Sequence, residues 1–131
     1  MMLAALSVLA AAVAGMVMGA IWYGKLFAAS WMRAVGMSQE DIEGGSNTPM
    51  ILAALAALLT AGAMRRIFAV TDVSGVWEGL YNGACFGLFI AAPWVIVHYA
   101  FSQRPRPLWW IDAGHTAATI AIMGAVLGAF R

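Results

Sequence analysis

The chain has 131 residues, of which 63% are hydrophobic and only 10% charged, with a formal net charge of +1. A soluble domain carries roughly 25% charged residues, so this composition excludes an ordinary water-facing surface and calls for lipid as the solvent. The near-neutral charge leaves no basic footprint for nucleic acid, and the lone Cys85 excludes an internal disulfide.

The first apolar run predicts a helix over about residues 1–23, long enough at ~1.5 Å per residue to cross a ~30 Å hydrocarbon layer. Ala12-Val13-Ala14 resembles a signal-peptide cleavage site, but no Lys or Arg precedes the run. The segment is therefore expected to be a retained span. Gly15 and Gly19 offer a small-xxx-small face for a neighbouring helix. The run ends in an aromatic junction, Trp22, Tyr23 and Trp31, beside the first charges, Lys25 and Arg33.

Beyond Gly24, Phe27, Trp31 and Val35 recur every fourth position, the spacing of one face of a short helix. That pattern predicts an interfacial amphipathic segment over about 25–44, stopped at Gly36 and restarted by a capping box at Ser38. Its acidic trio, Glu40, Asp41 and Glu43, reads as a solvated loop rather than a cation site.

Asn47-Thr48-Pro49 predicts the start of a second span, a cap followed by proline at the first helical position, running over about 49–70. Arg65 and Arg66 fall in its last turns, where they would snorkel to headgroups. Asp72 and Ser74 are expected caps for a third span over about 76–101. Gly79, Gly83 and Gly87 repeat on one face of it, and Pro93 should kink it. After the polar turn Ser102–Pro107, a fourth span is expected over about 108–130, with Gly124 and Gly128 on one face. The chain thus reads as one transmembrane domain, 1–131. It is an all-α, integral membrane, antiparallel four-helix bundle with a short interfacial helix between its first two spans.

Antiparallel threading puts Trp22, Tyr23, Trp31, Tyr99, Trp109 and Trp110 near one boundary. His98, Asp112 and His115 fall at the same depth. Ionisable groups inside a span mark a functional site by default, and Asp112 and His115, three apart, share a helical face. Two arrangements are open. In one, Asp112 fixes the tautomer of His115 and, with His98, forms a ligand or proton site roofed by Trp22, Tyr23 and Trp31. In the other, Asp112 pairs with Arg104 or Arg106 and the histidines satisfy backbone groups. Haem ligation by His98 and His115 is disfavoured by their offset of roughly 6 Å along the bundle. The methionines are too scattered for a copper site, so no cofactor and no metal are expected. Lys25, Arg33, Arg104 and Arg106 on one side against Arg65, Arg66 and Arg131 on the other leave the topology undecided.

Three motifs carry a resemblance: Gly19-xx-Trp22-Tyr23-Gly24-x-Leu26-Phe27-xxx-Trp31-Met32-xxx-Gly36, then Phe101 with Arg104-Pro105, then Ile111-Asp112-Ala113-Gly114-His115. In this order they resemble the bacterial membrane-protein family catalogued as domain of unknown function 1761. The resemblance implies a four-helix protein of the inner membrane. It also implies a hydrogen-bonding role at the positions of His98 and Asp112, which that family often fills with asparagine. Two function classes follow from the residues. The first is binding or transport of a small molecule, ion or proton at the polar cluster. The second is a non-catalytic accessory subunit, joined to itself or to a larger membrane complex through the Gly-xxx-Gly faces. No nucleophile–base pair, metal-ligand set or phosphate loop points to an enzyme. The small multidrug exporters are disfavoured because the first span lacks their embedded carboxylate.

Overall fold

The computed structural model describes all 131 residues. Four helical spans, Met2–Leu26, Thr48–Thr71, Val76–Phe101 and Arg106–Ala129, are each long and apolar enough to cross a membrane. They form an antiparallel bundle whose fourth span is central, packed by the first and third, while the second leans on the first. Two cross-links fix the arrangement at opposite ends. Gly75 N–H donates to the Gly128 carbonyl at 2.8 Å and Arg131 Nε donates to the Val73 carbonyl at 2.8 Å. At the other end, Tyr99 of the third span meets Asp112 of the fourth.

The third and fourth spans touch backbone to backbone. A Cβ added to Gly79 would sit 2.1 Å from the Gly124 oxygen, and one added to Gly128 would sit 2.2 Å from the Gly75 oxygen. Glycine at these positions is what allows that approach, since any side chain would force the helices apart. The two glycine faces are therefore turned on one another within the chain.

The core below this contact holds Ala11, Ala61, Met64, Phe68, Met123 and Leu127. It joins the first, second and fourth spans at the end where Val73 closes the second connection. Toward the other end, from Met50 to Ala56, the second span is exposed apart from a half-buried Ala54. The spans diverge there, and that divergence makes the site described below.

Several local expectations change in the structure. The first helix does not stop at Tyr23 but runs on through a π-helical turn, Trp22–Leu26, closed by Phe27 N–H to the Trp22 carbonyl at 2.8 Å. The segment after the first span is a helix over Ala28–Val35, ended by Gly36 at φ +73°, followed by a single turn over Gln39–Glu43. The Ser38 capping box is present, and the backbone N–H of Ser38 holds the Asp41 carboxyl below its ordinary range. Asn47 does not cap the second span with its side chain. Instead Ser46 Oγ accepts from Thr48 N–H at 3.3 Å. Asp72 ends the second span in the left-handed region rather than starting the third, and Gly75, at φ +87°, occupies the third span's cap position. Ser74 does not cap with its hydroxyl; its N–H is taken by Glu78 Oε2 at 2.9 Å.

Pro93 leaves its helix continuous because a second π-helical turn, Gly87–Ala91, lies just before it. Proline has no N–H to return to the carbonyl four residues back, and a widened turn absorbs the mismatch. The extra residue also rotates everything after it. The inward positions run Gly79, Gly83, Gly87 and then shift to Ala92, Ile96 and Tyr99.

Candidate functional site

The Asp112 carboxyl is the knot at one end of the bundle. Tyr23 donates its hydroxyl to Oδ1, and Tyr99 donates to Oδ2 at 2.6 Å. One side chain thereby ties the exits of the first and third spans to the start of the fourth. Beside it, Trp22 Nε1–H donates to the Ile111 carbonyl at 2.9 Å. The indole lies flat over Gly114, where an added Cβ would come within 2.9 Å of Cζ2. Gly114 therefore belongs to this contact: alanine there would push the indole off.

The π-turn builds this arrangement. Five-residue spacing brings Phe27 under Trp22, ring centroids 4.7 Å apart, while Tyr23 meets Trp31 edge-on at 5.9 Å. The His115 ring lies 4.8 Å from that of Tyr23. Aromatic pairs at these separations contribute roughly 0.5–1.5 kcal/mol beyond their area. Trp31 thus fixes the elbow helix Ala28–Val35 over the knot.

Beneath the knot lies a cavity of about 600 Å³ between the first, second and fourth spans. Its walls are largely Gly, Ala and Met, with a polar line along one side formed by Tyr23, His115, Thr116 and Thr119, and Thr60 opposite. From the level of Asp112 to that of Thr119 is about 10 Å along the helix. Thr116 Oγ1 is already spent on the Asp112 carbonyl at 2.9 Å. Thr119 Oγ1 is buried with no hydrogen-bond partner, which costs roughly 1–3 kcal/mol in a dry interior. His115 presents Nε2 toward Gly19, where an added Cβ would be 3.2 Å away.

Five of the six expected site residues come together: Trp22, Tyr23, Trp31, Asp112 and His115. His98 does not. It is exposed on the outside of the third span and its Nδ1 pairs locally with the Trp94 carbonyl at 2.6 Å. The third span turns it away from Asp112. Without the π-turn, the glycine ladder would continue through positions 91 and 95 toward 98; the added residue turns Tyr99 inward instead.

The Asp112–His115 pairing is also replaced. Both carboxyl oxygens are engaged by tyrosine, and neither Arg104 nor Arg106 reaches them. Arg106 lies over the Trp109 ring instead, 5.9 Å from its centroid. Tyr99, Thr60, Thr116 and Thr119 are the participants that the sequence reading left out. Tyr99 carried a signal, since it and Asp112 flank the Ser102–Pro107 turn at nearly equal distances.

Residues 6–128 match the family described as Protein of unknown function (DUF1761). No curated protein and no solved structure gives a significant match. The first and third motifs of the sequence, far apart in the chain, are the two halves of the Asp112 knot.

Proposed function

The chain belongs to the DUF1761 family, and on that premise we propose that it is a multi-pass inner-membrane protein that binds a small molecule in the cavity beneath the elbow. The elbow helix lies at the membrane interface as a lid, held by the Asp112 knot. The bound molecule carries a hydrogen-bonding group facing His115 and Thr60 and an apolar body against the Ala, Gly and Met walls. The observation that carries this reading is a cavity of about 600 Å³ whose largely apolar wall presents Tyr23, His115 and Thr60. Ligand sites fall in the range of ~300–1,000 Å³, mostly apolar with a few convergent polar groups.

An ion is a poorer occupant than a small molecule. The one carboxyl at this depth is turned into the knot rather than the cavity, so a bare cation would lack a counter-charge. The accessory-subunit reading leaned on the glycine faces, and those of the third and fourth spans are consumed by each other.

The test is thermal unfolding in micelles with benzyl alcohol, for the wild type and for Ala53→Phe/Ala56→Phe, which fills the cavity from the exposed side of the second span. Selective stabilisation of the wild type is expected, because a ligand of the folded state raises stability by RT ln(1 + [L]/Kd). Identical responses of the two proteins would refute the reading.

A further inference from the structure

A second hollow adjoins the cavity. It is a groove of about 400 Å³ along the outer seam of the first and second spans, lined by eight residues that are all hydrophobic. Leu9, Val13 and Val17 on its first-span wall are more than half exposed, at 53%, 61% and 51%, so in a membrane this groove faces lipid. Met16 and Ala20 line both the groove and the cavity. The second span meets that shared edge with Ala53 and Ala57 on the cavity side and with Ala54 and Leu58 on the groove side. Small side chains on one helix and a flexible thioether on the other make the seam a throat.

Resting on the cavity reading above, we infer that the occupant is an uncharged, single-tailed lipid that enters sideways from the bilayer, its head in the cavity and its tail in the groove. Three observations select that class. The polar wall offers hydroxyl and imidazole groups and no Lys, Arg, Asp or Glu, so a charged head would lie unpaired inside the span region, which costs several kcal/mol. A neutral alcohol or carbonyl instead answers His115 and the Thr60 hydroxyl, which both line the cavity. The tail path is one groove, running along the first span from Leu9 to Ala20, roughly 16 Å. One groove accommodates one chain, which disfavours a diacyl lipid. The apolar groove also explains why the entry is lateral: a tail leaving the cavity stays in hydrocarbon throughout.

The experiment uses the full chain in phosphatidylcholine liposomes with a diazirine-bearing hexadecanol. The same-length diazirine carboxylic acid and a diazirine phosphatidylcholine serve as the comparison probes. The alcohol is expected to label the Leu9–Ala20 and Ala54–Leu58 segments, and unlabelled hexadecanol is expected to compete. Ala20→Phe, on the exposed face of the first span, should block the throat and cut that labelling at least fivefold. Thr60→Val and His115→Phe, which remove hydrogen-bonding groups from the cavity wall, should each weaken competition by about fivefold. Should the head variants fail to fold, Ala20→Phe still decides. Labelling that resists competition, that is indifferent to Ala20→Phe, or that is matched by the phosphatidylcholine probe overturns the inference; equal labelling by the carboxylic acid overturns the uncharged head. If benzyl alcohol still stabilises the wild type selectively while no lipid probe labels the seam, the cavity reading stands and the lipid assignment falls.

Discussion

Removing the Tyr23 hydroxyl tests the knot at the bond that joins the first span to the fourth. In Tyr23→Phe the ring stays against Trp31 and His115, and only the bond to Asp112 is lost. A hydrogen bond between neutral groups inside a membrane averages about 0.6 kcal/mol. One to a charged group is worth about 1.5–3 kcal/mol. The site is half-buried rather than sealed, so the lower end of the second range applies, about 1.5 kcal/mol. That is about tenfold in the unfolding equilibrium. The bond to Tyr99 survives, so the variant should fold. The assay is reversible unfolding in mixed SDS and maltoside micelles, run as a double-mutant cycle with Asp112→Ala. Because Asp112→Ala removes the acceptor, Tyr23→Phe should cost close to nothing in that background, giving a coupling of about 1 kcal/mol or more. An equal cost in both backgrounds would show that the hydroxyl does not act through Asp112, and the knot as described would be wrong.

Gly83→Ala should destabilise by about 1–3 kcal/mol in the same assay, because its Cβ would lie 2.6 Å from the Ile120 oxygen. Gly62→Ala, with open space around it, should stabilise by about 0.5–1 kcal/mol; a matching loss at both sites would refute the close backbone contact. His98→Leu should leave benzyl alcohol binding unchanged while His115→Phe weakens it, and the reverse pattern would restore His98 to the site. The Asp41 carboxyl is lowered in the folded state, so its capping contribution is complete above the ordinary carboxylate value, about 3.9. It is lost only as pH falls through the lowered one. Amide exchange over residues 38–43 should therefore show no acid loosening until below about pH 4, and Ser38→Ala should loosen that turn already at neutral pH.

The spans and the elbow were legible because their signals are local: hydropathy runs, the Ser38 capping box, Gly36 as a stop, and Phe27, Trp31 and Val35 at fourfold spacing. The depth of the site was legible for the same reason, since rise per residue converts sequence separation into height. Direction around the helix was not. One added residue in the turn before Pro93 rotates the rest of the third span by about 100°, which exchanges His98 for Tyr99. The proline announced a disturbance, but only the packing of Ala92 and Ile96 against Ala113 and Ala117 chose its form. The cavity was hidden for a different reason. It depends on how the second span sits in the bundle, exposed over Met50–Ala56 and packed through Ala57, Ala61 and Met64 at the far end, which no local signal records. Thr60, Thr116 and Thr119 look like unremarkable helix residues until that space is known.

The claim at the centre of this account is that the space beneath the Asp112 knot holds a ligand. The most direct measurement is methyl-resolved NMR of the protein in deuterated micelles with protonated benzyl alcohol, reading intermolecular NOEs. The account predicts saturable NOEs to the methyls of Thr60, Thr119 and Met123, which line the cavity. NOEs confined to outward-facing methyls such as those of Leu59 and Ile90, with none inside, would contradict it.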